Sequence, residues 1–276
     1  MPSRWDIPLV APGHAPLPLT APHAVVSGWL DDREQPGAEA EAAPGRSGHA
    51  EQARRWACGP VQAGPLSADG SQLLVLTVRL LDDGLSGRLH EATRPGTMVR
   101  LGSGYYEIRG HAERTAQVSW TDLARWDGSR AWQVRFVTPA CARQRNRTSP
   151  LLAPGSLARS LAGRWRRLAP ETAPVLPAER DQTVWISDLD GRSETVNLVR
   201  LRRGEGRPRP CGEIVSGFAG RIRYVCDQGT DAEAGGFAAL LALASFAGAG
   251  SHTAYGFGVV TPEPTWQPPT VRATVT

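Results

Sequence analysis

The segment from Gly248 to Gly258, with the sequence GAGSHTAYGFG, carries the residue spacing best suited to chemistry in this chain. Its glycines at 248, 250, 256 and 258 lie between an Ala/Leu-rich segment typical of a helix and the apolar pair Val259–Val260. Glycines in such a row indicate a backbone that turns sharply or approaches another group closely. Because bare N–H groups can then point at oxygen atoms, the pattern suits an oxygen-rich ligand such as a phosphate backbone.

The basic residues of the chain are all arginines, and they are unevenly distributed. Residues 139–223 contain 16 Arg and 8 Asp or Glu, whereas the remainder contains 15 Arg and 19 acidic residues. A GC-rich genome accounts for the lack of lysine but not for the local excess of arginine. Arginine stacks on bases and grips phosphate with two hydrogen bonds. The basic segment therefore predicts an RNA-binding surface in the second half of the chain.

Composition narrows the class of protein. The 276 residues, 41% of them hydrophobic, suffice for one large domain or two small ones. No apolar run reaches the roughly 18 residues of a spanning helix, and the N-terminus lacks a signal-peptide layout. We therefore expect a cytoplasmic protein without a membrane partner. No metal or other cofactor is expected, because no His, Cys or acidic cluster has metal-ligand spacing; buried thiols are predicted at Cys58, Cys141, Cys211 and Cys226.

Apolar patterning predicts the elements that must position these residues. In the first half it indicates strands at 4–10, 56–66, 72–81 and 98–109, with helices at 22–32 and 82–93. The same order recurs as strands at 131–138, 195–203, 213–224 and 254–260, with helices at 154–168 and 231–247. Two β-α-β-β-α-β units predict an α+β protein of two tandem ferredoxin-like (RRM-like) domains with a C-terminal glycine-rich loop. The predicted bounds are 1–112 and 131–262 for the domains, 113–130 for a linker, and 263–276 for a proline-rich tail.

Three further stretches combine with the glycine-rich segment into a family resemblance. They are LLDDGLSGRL (residues 80–89), FVTPACARQRNRTSPLLAPGSLARSLAGRW (136–165) and GFAGRIRYVC (217–226). In this order the four stretches resemble motifs of the Cas6 family, the RAMP-superfamily endoribonucleases that process precursor CRISPR RNA. The resemblance implies two ferredoxin-like domains side by side.

The resemblance also implies a reaction. Members of the family cleave CRISPR repeat RNA without metal, since the ribose 2′-hydroxyl attacks the adjacent phosphate and leaves a 2′,3′-cyclic phosphate. Such a reaction needs a base, an acid and a cation near the phosphorane. The implied partners are precursor and mature CRISPR RNA, with other Cas proteins of an effector complex as further candidates. A monomer or a homodimer is expected.

The family pattern directs attention to one histidine. The catalytic histidine of many members follows the first helix and precedes a basic-aromatic segment, and His49 stands in that position six residues before Arg55. Arg54 or Arg55 takes the place that the family often gives to a lysine. Gly48 departs from the usual leucine before this histidine, so His23 remains a rival, followed by His252 within the glycine-rich segment. A family tyrosine in the first helix has no counterpart, because Trp29 lies near its place.

The predicted RNA-binding residues form two groups. The first is the glycine-rich segment, with Gly248, Gly250, His252, Gly256 and Gly258. The second is a set of loop arginines in the basic segment, namely Arg143, Arg145, Arg147, Arg202, Arg203, Arg207 and Arg209. Arg164, Arg166 and Arg167 at a helix end are weaker candidates, because solvation and the helix dipole explain them equally well.

A second function shares every feature except catalysis. A non-cleaving RNA-binding RAMP subunit of an effector complex would have the same fold, basic surface and glycine-rich loop. Such a subunit would not need the pair formed by His49 and Arg55, so this pair is the sequence feature that separates the two functions.

Overall fold

A computed structural model of the chain describes residues 1–12, 17–31, 54–66, 70–144, 147–176, 183–202 and 209–263. Among the predicted site residues, His49, Arg145, Arg203 and Arg207 lie outside this part of the chain. Within the described ranges, no helix is long and apolar enough to cross a membrane.

The first half of the chain builds an antiparallel sheet around one core. Its elements are β1 (Ser3–Pro12), α1 (Ala21–Leu30), β2 (Trp56–Leu66), β3 (Ser71–Leu80), α2 (Ser86–Ala92), β4 (Met98–Leu101), β5 (Gly104–Ile108) and β6 (Glu113–Gln117). The strand order is β2-β3-β1-β5-β4, and β6 pairs with the start of β1. Ile7 and Leu76 of the sheet share the core with Val26 of α1 and Leu89 of α2. With β4–β5 counted as the fourth strand, this is a ferredoxin-like unit.

The second half repeats the plan. After the short α3 (Trp120–Leu123) come β7 (Ala131–Ala140), β8 (Ala142–Gln144), β9 (Arg147–Ser149), α4 (Pro154–Leu168), β10 (Trp185–Arg202), β11 (Arg209–Val225), α5 (Asp231–Ala247) and β12 (Val260–Glu263). The sheet order is β10-β11-β7-β12, again ferredoxin-like, and β8–β9 forms a separate small hairpin. Phe136 and Ile222 of the sheet pack against Trp165 of α4 and Leu240 of α5.

The two helices of the second half begin where local chemistry dictates. Pro154 opens α4, where a missing N–H costs nothing because the first helical N–H groups have no partner within the helix. Thr230 caps α5 in a reciprocal pair with Glu233, in which each side chain accepts a hydrogen bond from the other residue's backbone N–H. Residues on all sides of α5 are buried, since it packs on its own sheet and also contacts β2 and β3.

Most predicted elements are confirmed, and the two helices at 154–168 and 231–247 have the predicted bounds. The predicted single strand at 98–109 is wrong, because the chain turns at Gly102 with φ 62° and forms the β4–β5 hairpin. The predicted strand at 254–260 is also wrong. A 3-10 turn occupies Thr253–Tyr255 and the strand begins only at Val260, since the intervening left-handed glycines cannot belong to a strand. Part of the stretch predicted as a linker, Glu113–Gln117, pairs with β1.

The two halves contact one another through named residues. Ala254, from the glycine-rich segment, lies in the core of the first half. Leu81, which follows β3, lies in the core of the second half, and Val118 packs against that core. The glycine-rich segment therefore sits where the two ferredoxin-like units meet.

Candidate active site and RNA-binding surface

The glycine-rich segment after α5 has a left-handed backbone at each of its predicted glycines. The φ angles are 71°, 85°, 88° and 64° at Gly248, Gly250, Gly256 and Gly258. A Cβ on Gly250 would collide with the carbonyl oxygen of Cys141, and a Cβ on Gly258 with that of Ala249. These positions therefore require glycine for both conformation and space.

The same segment is largely enclosed by protein. Only Ser251 and Tyr255 are partly exposed between residues 248 and 258. A Cβ on Gly256 would lie 3.0 Å from the carbonyl oxygen of Leu19, just before α1. The structure thus gives the glycines a role in fitting the loop between the two halves, and the RNA contact expected of them stays a prediction.

A buried arginine holds this loop in place. Arg164 of α4 is 3% exposed. Its guanidinium donates to the carbonyl oxygen of Ala247 at 2.6 Å, to Oγ1 of Thr253 at 2.9 Å and to the carbonyl oxygen of Gly250 at 3.4 Å. Arg166 and Arg167, two and three residues later, are exposed. Of these three arginines, Arg164 therefore stabilises the interior, and only the other two remain candidates for a surface role.

A cluster of rings forms where the loop meets the first half. His23 of α1 stacks on Trp56 at the start of β2, with ring centroids 5.7 Å apart and an interplanar angle of 29°. On the loop side, the ring of Tyr255 lies 3.7 Å from that of His23, centroid to centroid. His23 and Tyr255 are partly exposed, while Trp56 is 2% exposed. An imidazole and a phenol, both able to transfer protons, thus meet at the surface of the junction.

The arginines predicted beside the catalytic histidine take different positions. The guanidinium carbon of Arg54 lies 5.4 Å from the ring centroid of Trp56. Arg55 instead forms an ion pair with Asp82, Nη1 to Oδ2, at 2.8 Å. Arg54 therefore adds a positive charge to the ring cluster, whereas Arg55 ties β2 to the turn before α2.

Both ends of the segment that carries His49 lie beside the same tryptophan. Trp56 Nε1 donates to Oδ1 of Asp31 at 2.7 Å, and Arg54 lies over its ring. Residues 32–53, between these two positions, fall outside the described part of the chain. The segment thus leaves and rejoins the described chain next to His23.

His252, the third candidate histidine, lies inside the loop. It is 1% exposed and adopts a left-handed φ of 63°. Its ring meets those of Tyr255 and Phe257 edge-on, with centroids 6.2 Å and 5.8 Å away. This position favours a packing role over contact with a ligand.

Arg143, Arg147, Arg202 and Arg209, the predicted RNA-binding arginines that the structure describes, lie on two hairpins. Arg143, half-buried, is on β8, and Arg147 is on β9. At the far end of β10–β11, Arg202 pairs with Arg209 across the hairpin. Residues 209–217 of β11 extend beyond β7, and in the described chain they pair only with β10. The β10–β11 hairpin therefore extends beyond β7 at the end where Arg202 and Arg209 lie.

The positions of the cysteines and of possible metal ligands can be examined among the described residues. Cys58, Cys141 and Cys226 are buried, as predicted. No group of three or more His, Cys, Asp or Glu in the described ranges could hold a metal ion. Tyr255 was missed from the sequence, and its only signal was that it is the single tyrosine of the glycine-rich segment.

Part of the chain matches a known family model. Residues 134–260 match the family model described as CRISPR-associated endoribonuclease Cas6. No protein of curated function matches the sequence closely enough to count as a relative.

Solved structures share the fold over nearly the whole chain. A Cas6 product complex (TTHA0078) is 23% identical with a TM-score of 0.66, over 95% of this chain and 99% of that one. Thermus thermophilus Cas6 (TTHB231) is 22% identical with a TM-score of 0.60, over 95% and 98%. An RAMP protein binding different RNA substrates is 14% identical with a TM-score of 0.54, over 95% and 100%. The match to the family model over residues 134–260, together with this shared fold, makes the chain similar to proteins of the Cas6 family.

Proposed function

We propose that this protein cleaves CRISPR repeat RNA in precursor transcripts to release mature CRISPR RNA. The observation that carries the proposal is the ring cluster at the junction of the two domains, where His23 and Tyr255 meet beside Arg54. The Cas6 family match and the fold shared with a Cas6 product complex support the substrate class.

The proposed reaction is an internal transesterification. The 2′-oxygen attacks the adjacent phosphorus and forms the new P–O2′ bond as the P–O5′ bond breaks. A base accepts the 2′-hydroxyl proton, and an acid donates a proton to the departing 5′-oxygen. The products are a 2′,3′-cyclic phosphate and a free 5′-hydroxyl, and no metal takes part in these steps.

The roles follow from the chemistry of the side chains. His49 is assigned as the principal proton-transfer group, and only four residues separate it from Arg54 in the chain. His23 and Tyr255 are the groups already in place at the junction to act as its partner. Arg54 supplies positive charge for the phosphorane, because arginine stays protonated and grips phosphate oxygens with two bonds.

Arg55 has a smaller role in the proposed reaction than Arg54. Its ion pair with Asp82 gives it a structural role that a non-cleaving subunit would share. The residues that would distinguish an endoribonuclease from a non-cleaving RAMP subunit are therefore the histidines and not Arg55.

The test is cleavage of the repeat RNA encoded beside the gene, in EDTA, with His49→Ala, His23→Ala and the exposed control His111→Ala. Loss of one proton-transfer group should slow cleavage about 100- to 10,000-fold while leaving repeat binding nearly unchanged. His111→Ala should cleave like the wild type. The product should carry a cyclic phosphate, and a 2′-deoxy substitution at the cut site should block the reaction.

Two outcomes would change the proposal. If His49→Ala cleaves at the wild-type rate and His23→Ala does not, His23 is the principal group. If the wild type binds its repeat but never cleaves it, the protein is a non-cleaving RNA-binding subunit.

A further inference from the structure

Two arginines lie directly opposite each other on neighbouring strands of the first sheet. Arg4 of β1 pairs with Arg79 of β3. Their neighbours Trp5 and Val78 belong to the core, so the arginines point to the other face of the sheet, because side chains alternate along a strand. Directly opposed side chains have Cβ atoms about 5 Å apart, and like charges in that position repel one another.

The two guanidinium groups are enclosed and incompletely bonded. Arg79 is 5% exposed, and Arg4 is half-buried. Nη1 of Arg79 donates to the carbonyl oxygen of Cys58 at 3.3 Å. Among the described residues, the buried Nε atoms of both arginines have no hydrogen-bond partner. Buried donors in folded proteins are nearly always satisfied, so this pair has capacity for an acceptor that the described residues do not supply.

The two guanidinium groups have no ion-pair partner among the described residues. In the described chain, neither arginine has a carboxylate within 4.0 Å. Asp6, on the same face two residues from Arg4, accepts a hydrogen bond from Thr77 Oγ1 at 2.8 Å. Burial, followed by the charge of Arg4, lowers the pKa of Arg79 to about 10, so Arg79 is still protonated at neutral pH. The exposed Glu113 of β6 pairs with Asp6 and shares this face, so the guanidinium groups have two carboxylates nearby but form an ion pair with neither.

We propose that Arg4 and Arg79 form a binding site for one phosphate-type oxyanion, which is a phosphodiester of RNA or inorganic phosphate. A phosphodiester carries a negative charge, and its oxygens accept the parallel hydrogen bonds that guanidinium groups offer. The RNA source rests on the proposed function, whereas the inorganic source does not.

The first measurement is thermal melting with inorganic phosphate titrated at constant ionic strength. Wild type should gain about 2–4 °C at saturation, because a ligand that binds only the folded state stabilises it. Arg4→Gln should lose this gain. The control Arg100→Gln, on the exposed face of β4, should keep it. Arg79→Met serves as a second variant, and Arg4→Gln decides the matter if Arg79→Met fails to fold.

The second measurement is the salt dependence of binding to repeat RNA made uncleavable by a 2′-deoxy substitution. If an RNA phosphodiester occupies the site, Arg4→Gln should reduce the slope of log K against log salt by about 0.7–0.9, the value of one phosphate contact. Loss of the phosphate gain with an unchanged slope would assign the site to inorganic phosphate.

The proposal is overturned if Arg4→Gln changes neither the phosphate gain nor the RNA slope. A failure of the proposed function would look different. The wild type would then neither bind nor cleave repeat RNA, while the phosphate gain would still depend on Arg4 and the oxyanion site would stand.

Discussion

The ring of Tyr255 lies 3.7 Å from that of His23, centroid to centroid, although one residue belongs to the C-terminal loop and the other to the first helix. The contact joins the two ferredoxin-like domains at a partly exposed point. It also places a tyrosine at the proposed site, where the first helix has only Trp29 near the expected position. The two halves of the chain must therefore be docked before this pair exists.

Tyr255→Phe removes the phenolic hydroxyl of Tyr255 and keeps the aromatic ring. The phenylalanine keeps the ring contact with His23, so the melting temperature should stay close to that of the wild type. Cleavage of repeat RNA should slow by about 100-fold or more if the hydroxyl transfers a proton. Single-turnover cleavage is the measurement, with Tyr255→Ala made in parallel. A Tyr255→Phe protein that cleaves as fast as the wild type would limit Tyr255 to packing against His23.

Arg164→Met removes the hydrogen bonds that hold the loop. The free energy of unfolding should fall by about 1.5–3 kcal/mol, because carbonyl oxygens that accepted from a buried charge are left unpaired. Urea unfolding of this variant against Arg166→Met, which changes an exposed residue of the same helix, provides the comparison. Equal stabilities of the two variants would contradict the role assigned to Arg164.

Gly250→Ala should destabilise the protein by about 1–3 kcal/mol, through a left-handed φ of 85° and the collision with the Cys141 carbonyl oxygen. Gly87→Ala is the matched control. Gly87 lies in α2, where an added Cβ would meet nothing within 4 Å, so alanine should stabilise the helix by about 0.5–1 kcal/mol. Thermal unfolding measures both, and a neutral Gly250→Ala would show that the loop can move aside.

The affinity for repeat RNA should fall steeply with salt, because arginine–phosphate contacts release counterions. Arg202→Ala and Arg203→Ala together should lower the salt slope by about 1–2 and weaken binding at every salt concentration. Arg125→Ala, at an exposed position outside the hairpin, is the control. Binding that does not change between low and high salt would place the RNA surface away from the basic segment.

Local sequence determined much of the fold. Apolar patterning, Pro154 and the pair formed by Thr230 and Glu233 are enough to define α4 and α5, because helix ends depend on residues close in the chain. The repeated strand and helix order predicted both ferredoxin-like units for the same reason. The sequence also predicted the unusual backbone at the four loop glycines, since the left-handed conformation restricts which residue can occupy a position. The domain limits and the role of His49 stay predictions.

Only the tertiary structure decided which of these residues meet. Arg164 and Arg166 belong to one helix and have the same chemistry, yet one is buried against the loop and the other is exposed, because the packing of α4 decides which face turns inward. Tyr255 reaches His23, and Arg4 lies opposite Arg79, through docking and strand register. Both pairs join positions far apart in the chain, and no local sequence pattern indicates such pairings.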